Sequence, residues 1–282
     1  MKFTKIKSYA KINISLGVLG KLKSKLHKVE SLISFLNLYD DILIKKTDNN
    51  KHVVKFSGKF SKKISKNNTI LNLLKILDYK NKLGNQKYLI KVNKKIPQKS
   101  GMGGGSMNAS SVFKYLIKAH NLKLSSREIF NITSKIGSDV IIGMKAKNSI
   151  LYGNGTLKTL NKSINLFVIL VMPNFGCSTN IIYKNVKHFS KPVFKKNKRI
   201  NFNNKFLSSL KNDLEIIAFN KYTALKKLKL LMEKLDNILF VRMTGSGSAL
   251  VGYFNTKKSA LNAIKIIKKK YNNYWCNLSK TI

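Results

Sequence analysis

The chain contains few of the residues that build cross-linked or metal-stabilised proteins. Among its 282 residues there are two cysteines, Cys177 and Cys276, and four histidines. No spaced Cys/His set accompanies the cysteines, which argues against a disulfide framework and a structural zinc site. We interpret both cysteines as buried thiols. No apolar run approaches the roughly 18 residues of a membrane helix, so no part of the chain is expected to span a bilayer.

The first residues are basic, but no apolar segment follows them, so we expect no secretory signal. Hydrophobic residues make up 43% of the chain and aromatic residues 10%, which is enough for a buried core and excludes a disordered or fibrous protein. The length predicts two domains or one large domain. We therefore expect a soluble, cytoplasmic, globular protein.

Acidic residues are also scarce: 11 Asp and Glu face 55 Lys and Arg, which gives a net charge of +44. Such a charge normally indicates nucleic-acid binding. However, the lysines are scattered from Lys2 to Lys280, and only three residues are arginine, the better reader of phosphates and grooves. Residues with A/T-rich codons are abundant, which favours compositional drift. We expect non-specific binding to polyanions at low salt.

Residues 11–18 alternate between polar and apolar side chains, which predicts a strand with Lys11 and Asn13 on the face opposite the apolar set. Strands and helices are intermixed without a strict βαβ rhythm, which predicts an α+β fold. Further strands are predicted at 33–38, 41–45, 52–56, 88–92, 166–172, 238–243 and 249–254, and helices at 69–77, 109–117, 125–136, 214–235 and 259–269.

A glycine-rich segment lies between the strand at 88–92 and the helix that follows it. Four of the five residues 101–105 are glycine. A glycine loop that opens a helix can cradle phosphate, because backbone N–H groups approach the oxygens and the helix N-terminus is partly positive. The segment is neither a P-loop nor a dinucleotide fingerprint. A tight turn with close helix packing is the alternative. Residues 244–248 form a second glycine-rich turn.

Lys11 and Asp139 are candidates for phosphoryl transfer to a hydroxyl, which needs a proton acceptor and a positive charge near the transferring group. Asp139 follows Gly137, which ends the helix that a Ser125/Glu128 capping box begins. The alternatives are a solvated lysine and a helix-capping aspartate. Spacing does not show that the two residues meet. His27 and Asn13 give weaker signals, and an exposed histidine is the alternative for His27.

Taken in order, these motifs resemble the galactokinase, homoserine kinase, mevalonate kinase and phosphomevalonate kinase (GHMP) superfamily. The matches are residues 10–14, 97–106 and 243–249. The resemblance implies a ribosomal-protein-like N-terminal domain, an α/β-sandwich C-terminal domain and an active site in the cleft between them. We expect these domains at residues 1–155 and 156–282.

Within the superfamily, the similarity is greatest to kinases that phosphorylate the 2-hydroxyl of a cytidine diphosphate-linked methylerythritol in non-mevalonate isoprenoid biosynthesis. The resemblance rests on the Ala-Lys-Ile-Asn strand, on His27, and on three short segments. These are Leu-Tyr-Asp-Asp at 38–41, Gly-Ser-Asp-Val at 137–140 and Asn-Asp-Leu-Glu at 212–215.

The resemblance implies a role for each matched position. Asp139 would be the base toward the acceptor hydroxyl, and Lys11 would orient that hydroxyl and screen charge. His27 would contact the cytosine, Tyr183 would stack on it, and Asn13 would lie beside the methylerythritol. The ATP-binding loop would comprise Pro97, Gln98, Lys99, Ser100, Gly101, Met102, Gly103, Gly104, Gly105, Ser106 and Met107.

Mg²⁺ is expected to arrive with the ATP; the resemblance assigns it no protein ligand, and Ser106 is a candidate. We expect a monomer or weak homodimer, with no specific nucleic acid and no membrane as partner. Leu26 stands where these kinases usually have a stacking Tyr, and Met107 where they have a second Ser.

Two alternatives stay open: a superfamily kinase for another small alcohol such as homoserine or mevalonate, and a basic RNA-binding protein. The sequence lacks the aromatic-rich RNA-reading strand and the basic cluster that are typical of the second class.

Overall fold

The computed structural model describes residues 2–22, 26–161, 164–195 and 200–282. Strands and helices are intermixed, so the predicted α+β class is confirmed. The strands are β1 (Thr4–Asn13), β2 (Gly17–Lys21), β3 (His27–Thr47), β4 (Val53–Ser57), β5 (Lys87–Asn93), β6 (Ser149–Leu151), β7 (Leu157–Thr159), β8 (Phe167–Met172), β9 (Phe240–Met243), β10 (Leu250–Phe254) and β11 (Trp275–Lys280). The helices are α1 (Thr69–Tyr79), α2 (Gly104–Ala119), α3 (Ser126–Ile136), α4 (Val140–Gly143), α5 (Thr179–Lys184), α6 (Asn204–Ser209), α7 (Leu214–Lys221), α8 (Thr223–Met232) and α9 (Lys257–Lys270).

The chain forms two compact units, each assembled from three segments. Unit 1 comprises residues 1–10, 38–98 and 103–146, and unit 2 comprises residues 11–37, 99–102 and 147–282. Strands β1 and β3 and the glycine-rich segment therefore contribute residues to both units. The expected domain division at 155/156 stays a prediction.

Unit 1 is a small sheet covered by helices. Strand β5 pairs in parallel with β4 and antiparallel with the second half of β3. Helices α1, α2 and α3 supply Leu73, Phe113 and Ile132 to the core, which packs on Ile44 and Ile90 of the sheet. Helix α3 begins at the predicted capping box, in which Ser125 and Glu128 exchange hydrogen bonds, and ends at Gly137.

Unit 2 contains a four-stranded antiparallel sheet in the order β11-β8-β10-β9. Helices α7, α8 and α9 share its core through Leu214, Leu228 and Ile267, which pack with Ile169 and Val171 of β8. The first half of β3 also belongs to this unit. It pairs antiparallel with β2 and β6, and β6 pairs with β7.

Four predicted elements differ from those observed. The strand expected at 11–18 is interrupted after Asn13, because the Ile14 and Ser15 N–H groups both donate to the Leu32 carbonyl. The strands expected at 33–38 and 41–45 are parts of the single strand β3. The helix expected at 214–235 is divided between α7 and α8, since Tyr222 leaves the helical region at φ −125° and ψ 81°.

The interpretation of the two cysteines is half correct. Cys177 is buried, and burial raises the pKa of its thiol to about 11, so this thiol stays protonated at neutral pH. Cys276 is partly exposed, and burial raises the pKa of its thiol as well. Among the described residues, no helix is long and apolar enough to cross a bilayer.

His52 should make the protein less stable in weak acid. Its Nδ1 accepts the Tyr88 N–H at 3.1 Å, and its Nε2 lies 3.0 Å from Asp78. Burial lowers the pKa of His52 below its ordinary 6.5, against the opposing effect of Asp78. The stabilisation by neutral His52 is therefore complete above about pH 6.5 and is lost as the pH falls toward the lower folded-state value.

The measurement is the free energy of unfolding in urea near pH 7.5 and near pH 5.5. His52→Asn should lose less stability between the two pH values than the wild-type protein. His188→Asn, which changes an exposed histidine, should lose as much as wild type. Equal losses in all three proteins would contradict this assignment.

Candidate active site

The end of β1 in unit 2 carries a buried polar cluster. Lys11 is 3% exposed and Asn13 is 4% exposed, so the alternative of a solvated lysine is wrong. Lys11 Nζ donates to Asn13 Oδ1 at 2.7 Å, which confirms that the two side chains share a face. Asn13 Nδ2 donates in turn to Ser31 Oγ at 2.8 Å. These bonds fix the Asn13 amide and place a desolvated cation beside it.

Two glycine-rich segments meet at this cluster. Gly101 has φ +78°, and a Cβ there would lie 1.9 Å from the Thr244 carbonyl oxygen. The Thr244 hydroxyl donates to the Gly101 carbonyl at 3.2 Å and accepts the Asn13 N–H at 3.0 Å. The Lys11 N–H donates to the Met102 carbonyl at 3.2 Å. Motifs that are far apart in the sequence therefore form one tightly packed assembly.

The turn at 244–248 is held by residues for which the sequence suggested no role. Asn212 Nδ2 donates to the carbonyls of Met243 and Gly245 at 2.7 and 2.8 Å. The Glu215 carboxylate accepts the Met243 N–H at 2.7 Å and Lys229 Nζ at 2.6 Å. The only sequence signal was the Asn-Asp-Leu-Glu match, because nothing local links position 212 to position 243.

His27 and Tyr183 form an aromatic pair elsewhere in unit 2. Their ring centroids are 5.0 Å apart with the planes tilted by 41°, so His27 is not the freely exposed histidine of the alternative. Burial, with a smaller contribution from Lys21, lowers the pKa of His27 and keeps the imidazole neutral. Its Nε2 is buried and has no hydrogen-bond partner among the described residues. A buried polar atom of this kind is expected to meet a ligand or water.

In unit 1, α2 begins at the glycine-rich segment, so the predicted order of strand, glycine loop and helix is confirmed. Gly103 occupies the cap position at φ +68° and supplies no side-chain cap to the first N–H groups of the helix. The Thr69 hydroxyl donates to the Gly105 carbonyl at 2.8 Å, which fixes the first turn to α1. An uncapped helix N-terminus with glycines in its first turn can accept an anion.

Other members of the segment have different environments. Gln98 Nε2 donates to the Phe60 carbonyl at 2.8 Å, which ties the start of the loop to unit 1. Lys99 is exposed, whereas Pro97 and Ser100 are buried. Met107 is 2% exposed, so the departure at this position replaces a small polar side chain with one that packs in the interior.

A buried ion-pair network lies behind the start of α2, and the sequence analysis did not identify it. Asp40 is fully buried and accepts hydrogen bonds from Lys94 Nζ, from Asn108 Nδ2 at 2.9 Å and from the Lys95 and Ile96 N–H groups at 2.7 and 2.9 Å. Burial lowers the pKa of Lys94, and Asp40 opposes that shift. The network joins the segment that leads into the glycine loop to the helix that leaves it.

Asp139 occupies the cap position of α4, but its side chain makes no capping bond, so the alternative of a helix-capping aspartate is wrong. Ser110 of α2 donates to the Val140 carbonyl at 2.5 Å. A Cβ on Gly137 would lie 3.8 Å from Ser106 Oγ. The segment that carries Asp139 is therefore held beside the first turns of α2. Because Lys11 belongs to unit 2, its pairing with Asp139 stays a prediction.

The chain matches two protein-family models and several known proteins. Residues 68–147 match the GHMP kinases N terminal domain, and residues 192–273 match the GHMP kinases C terminal family. The 4-diphosphocytidyl-2-C-methyl-D-erythritol kinase of Pelagibacter ubique (strain HTCC1062) is 51% identical, and the match covers all of both chains. The enzyme of the same name from Thermoanaerobacter pseudethanolicus is 30% identical, over 100% of this chain and 97% of its own.

Solved structures share the fold. A 4-(cytidine 5'-diphospho)-2C-methyl-D-erythritol kinase has a TM-score of 0.77 at 20% identity, covering 98% of this chain and 99% of its own. A homoserine kinase from Cytophaga hutchinsonii has a TM-score of 0.65 at 14% identity, covering 100% and 95%. Kinases with different names therefore share this fold, so the fold does not distinguish between them. The 51% sequence identity does, and the chain belongs to the 4-diphosphocytidyl-2-C-methyl-D-erythritol kinase family of GHMP kinases.

Proposed function

We propose that this protein is an ATP-dependent kinase that phosphorylates the 2-hydroxyl of 4-(cytidine 5'-diphospho)-2-C-methyl-D-erythritol, a step in non-mevalonate isoprenoid biosynthesis. The observation that carries the choice of substrate is the His27–Tyr183 pair with its unsatisfied imidazole nitrogen. A flat ring surface beside a neutral hydrogen-bonding group suits a nucleobase. Homoserine and mevalonate offer no base to recognise.

The nucleotide end of the reaction is assigned to residues 97–107. The uncapped first turn of α2 supports binding of the ATP phosphates, since its N–H groups and the helix dipole both favour an anion. Mg²⁺ bound to the nucleotide would neutralise the developing charge. The hydroxyl of Ser106 is the candidate protein ligand. Among the described residues, no cluster of three or more His, Cys, Asp or Glu could hold a metal independently.

The transfer step is assigned to Asp139 and Lys11. Asp139 takes the proton of the 2-hydroxyl as its oxygen bonds to the γ-phosphorus, and the bond to the bridging oxygen breaks to release ADP. Lys11 orients the hydroxyl and screens the negative charge, and Asn13 lies beside the methylerythritol. The buried environment of Lys11 supports this role, because a desolvated ammonium interacts more strongly with an anion than a solvated one does.

Removing the stacking ring should weaken binding of the cytidine substrate. Base stacking contributes about 1–3 kcal/mol in comparable sites, so Tyr183→Ala should raise the KM for this substrate about 5- to 150-fold and leave the KM for ATP within about twofold. Leu26 immediately precedes His27, and its side chain is 64% exposed. Leu26→Tyr should therefore lower the KM by adding a second ring.

Steady-state kinetics of both variants, beside the matched surface control Tyr79→Ala (Tyr79 is 91% exposed), test the assignment. An unchanged KM in Tyr183→Ala would remove this residue from the site. A rise in the KM for ATP of the same size would show a general loss of structure instead.

The direct test of function is ADP release by the purified protein with the cytidine substrate, homoserine or mevalonate as acceptor. Turnover only with the cytidine substrate supports the proposal. Turnover with another acceptor instead would overturn it. The same preparation should bind RNA weakly and without sequence preference above about 0.15 M salt; sequence-specific RNA binding would favour the RNA-binding alternative.

The remaining parts of the proposal are a cytoplasmic location, a monomer or weak homodimer, and kinase domains at residues 1–155 and 156–282. Size-exclusion chromatography with light scattering measures the oligomeric state. Non-specific attraction to polyanions follows from the net charge of +44 and needs no dedicated nucleic-acid site.

A further inference from the structure

A groove of about 650 Å³ lies in unit 1 between β1 and α2, away from the residues assigned to catalysis. Strand β1 contributes Ile6 and Lys7, and the C-terminal half of α2 contributes Lys114, Tyr115, Lys118 and Ala119. Pockets that bind small molecules commonly have volumes of this order.

The geometry of the strand and the helix explains the groove. Asn108 Nδ2 donates to Ser8 Oγ at 3.0 Å, which fixes β1 to α2 on one side of the groove. Ile6 and Ser8 lie on the same face of the strand, so Ile6 also faces the helix. The side chains at 114, 115, 118 and 119 recur at helical spacing and form the opposite wall. The groove is thus built between two regular elements.

The charge in the groove is of one sign. Lys114 and Lys118 line it from the helix, and no lining residue that the structure describes is acidic. Lys7 lies on the opposite face of β1 from Ile6, where its Nζ is 4.5 Å from the centre of the Tyr39 ring, so its charge does not enter the groove.

Lys114 is the less solvated of the two lysines on the helix. It is partly buried, and burial lowers the pKa of its ammonium group. No hydrogen bond or salt bridge joins it to another described residue. A partly desolvated charge without a partner is unfavourable, so an anion that approaches it gains more than it would at an exposed lysine.

The walls between these charges are apolar. Ile6, Tyr115 and Ala119 line the same groove as Lys114 and Lys118. This combination suits a ligand with an anionic head and an apolar body better than it suits an inorganic ion.

We propose that this groove binds a small organic phosphate, with the phosphate at Lys114 and Lys118 and the apolar part against Ile6, Tyr115 and Ala119. The site is distinct from the nucleotide loop. Gly104 and Lys118 are at opposite ends of α2, and at 1.5 Å per residue they are about 21 Å apart.

The test is a methyl NMR titration of the full chain with phenyl phosphate at about 0.15 M salt, where long-range attraction is screened. The Ile6 and Ala119 methyl signals should shift and saturate. Phenol, which lacks the charge, and inorganic phosphate, which lacks the ring, should each bind at least about tenfold more weakly. Lys114→Met should weaken phenyl phosphate binding about tenfold or more. Lys75→Met, which removes an exposed lysine of α1, should leave it unchanged.

Shifts that rise linearly without saturation, equal shifts with phenol, or equal affinities in Lys114→Met and Lys75→Met would each overturn the proposal. Lys118→Met, at an exposed position, gives the same test if Lys114→Met does not fold.

Discussion

An Asp139→Asn variant is expected to lose about 10²- to 10⁴-fold in kcat, because an amide cannot accept the proton of the attacking hydroxyl. The KM values for ATP and the cytidine substrate should change little, since the side chain keeps its size and hydrogen-bonding atoms. The carboxylate does not cap α4, so the helix should survive the change. The measurement is ADP release under saturating conditions, with circular dichroism to show that the variant is folded.

Lys11→Met supplies the second half of this test. If Lys11 and Asp139 act on one hydroxyl, the double variant should lose much less than the product of the single losses. Asp48→Asn is the matched control, because Asp48 is an exposed acid in unit 1. Near-normal turnover by folded Asp139→Asn would remove it as the base. Fully multiplicative losses would instead show that the two residues act independently.

A Gly101→Ala variant should lose both stability and activity. Its φ of +78° costs an L-residue about 1–2 kcal/mol. The added Cβ would also lie 1.9 Å from the Thr244 carbonyl oxygen, which is backbone and cannot rotate away. Overpacking of this kind adds about 1–3 kcal/mol. Displacing Thr244 would also break its bond to Asn13, so we expect kcat to fall about tenfold or more if that displacement costs at least about 1.4 kcal/mol in the transition state.

Gly84→Ala separates the cost of the positive φ from the cost of the contact with Thr244. Gly84 also has a positive φ, at +55°, but a Cβ there would meet nothing within 4 Å. It should therefore show the conformational cost alone and keep full activity. Urea unfolding and steady-state kinetics of the two variants give the comparison. If Gly101→Ala were no less stable than Gly84→Ala, the close approach to Thr244 would make no contribution to the free energy of unfolding.

The features that the sequence predicted correctly depend on neighbouring residues. The capping box of Ser125 and Glu128 is a contact over three positions, and the glycine loop with its helix is a local conformational requirement. The shared face of Lys11 and Asn13 follows from the period of a strand. In each case, the deciding interaction lies within a few residues of the pattern that signals it.

The features that the sequence did not predict depend on distant partners. Asp40 is buried because Lys94 and Asn108 reach it from 54 and 68 positions away. Asn212 is defined by carbonyls 31 and 33 positions further along the chain. The alternating pattern around Lys11 is the same for a solvated lysine and for a buried one, and in the structure Lys11 is 3% exposed. Only the folded chain distinguishes these states.

The division of unit 2 into segments from both ends of the chain has a consequence for synthesis on the ribosome. Residues 11–37 emerge early, yet the Ile282 N–H donates to the Phe35 carbonyl, and Leu36 forms a bridge with Thr281. At about 5–20 residues per second, the early segment waits roughly 10–50 s for these partners. Meanwhile Leu32, Ile33 and Phe35, all buried in the finished protein, are available to chaperones. All residues of unit 1, the last of which is Ala146, are made before residues 147–282 of unit 2.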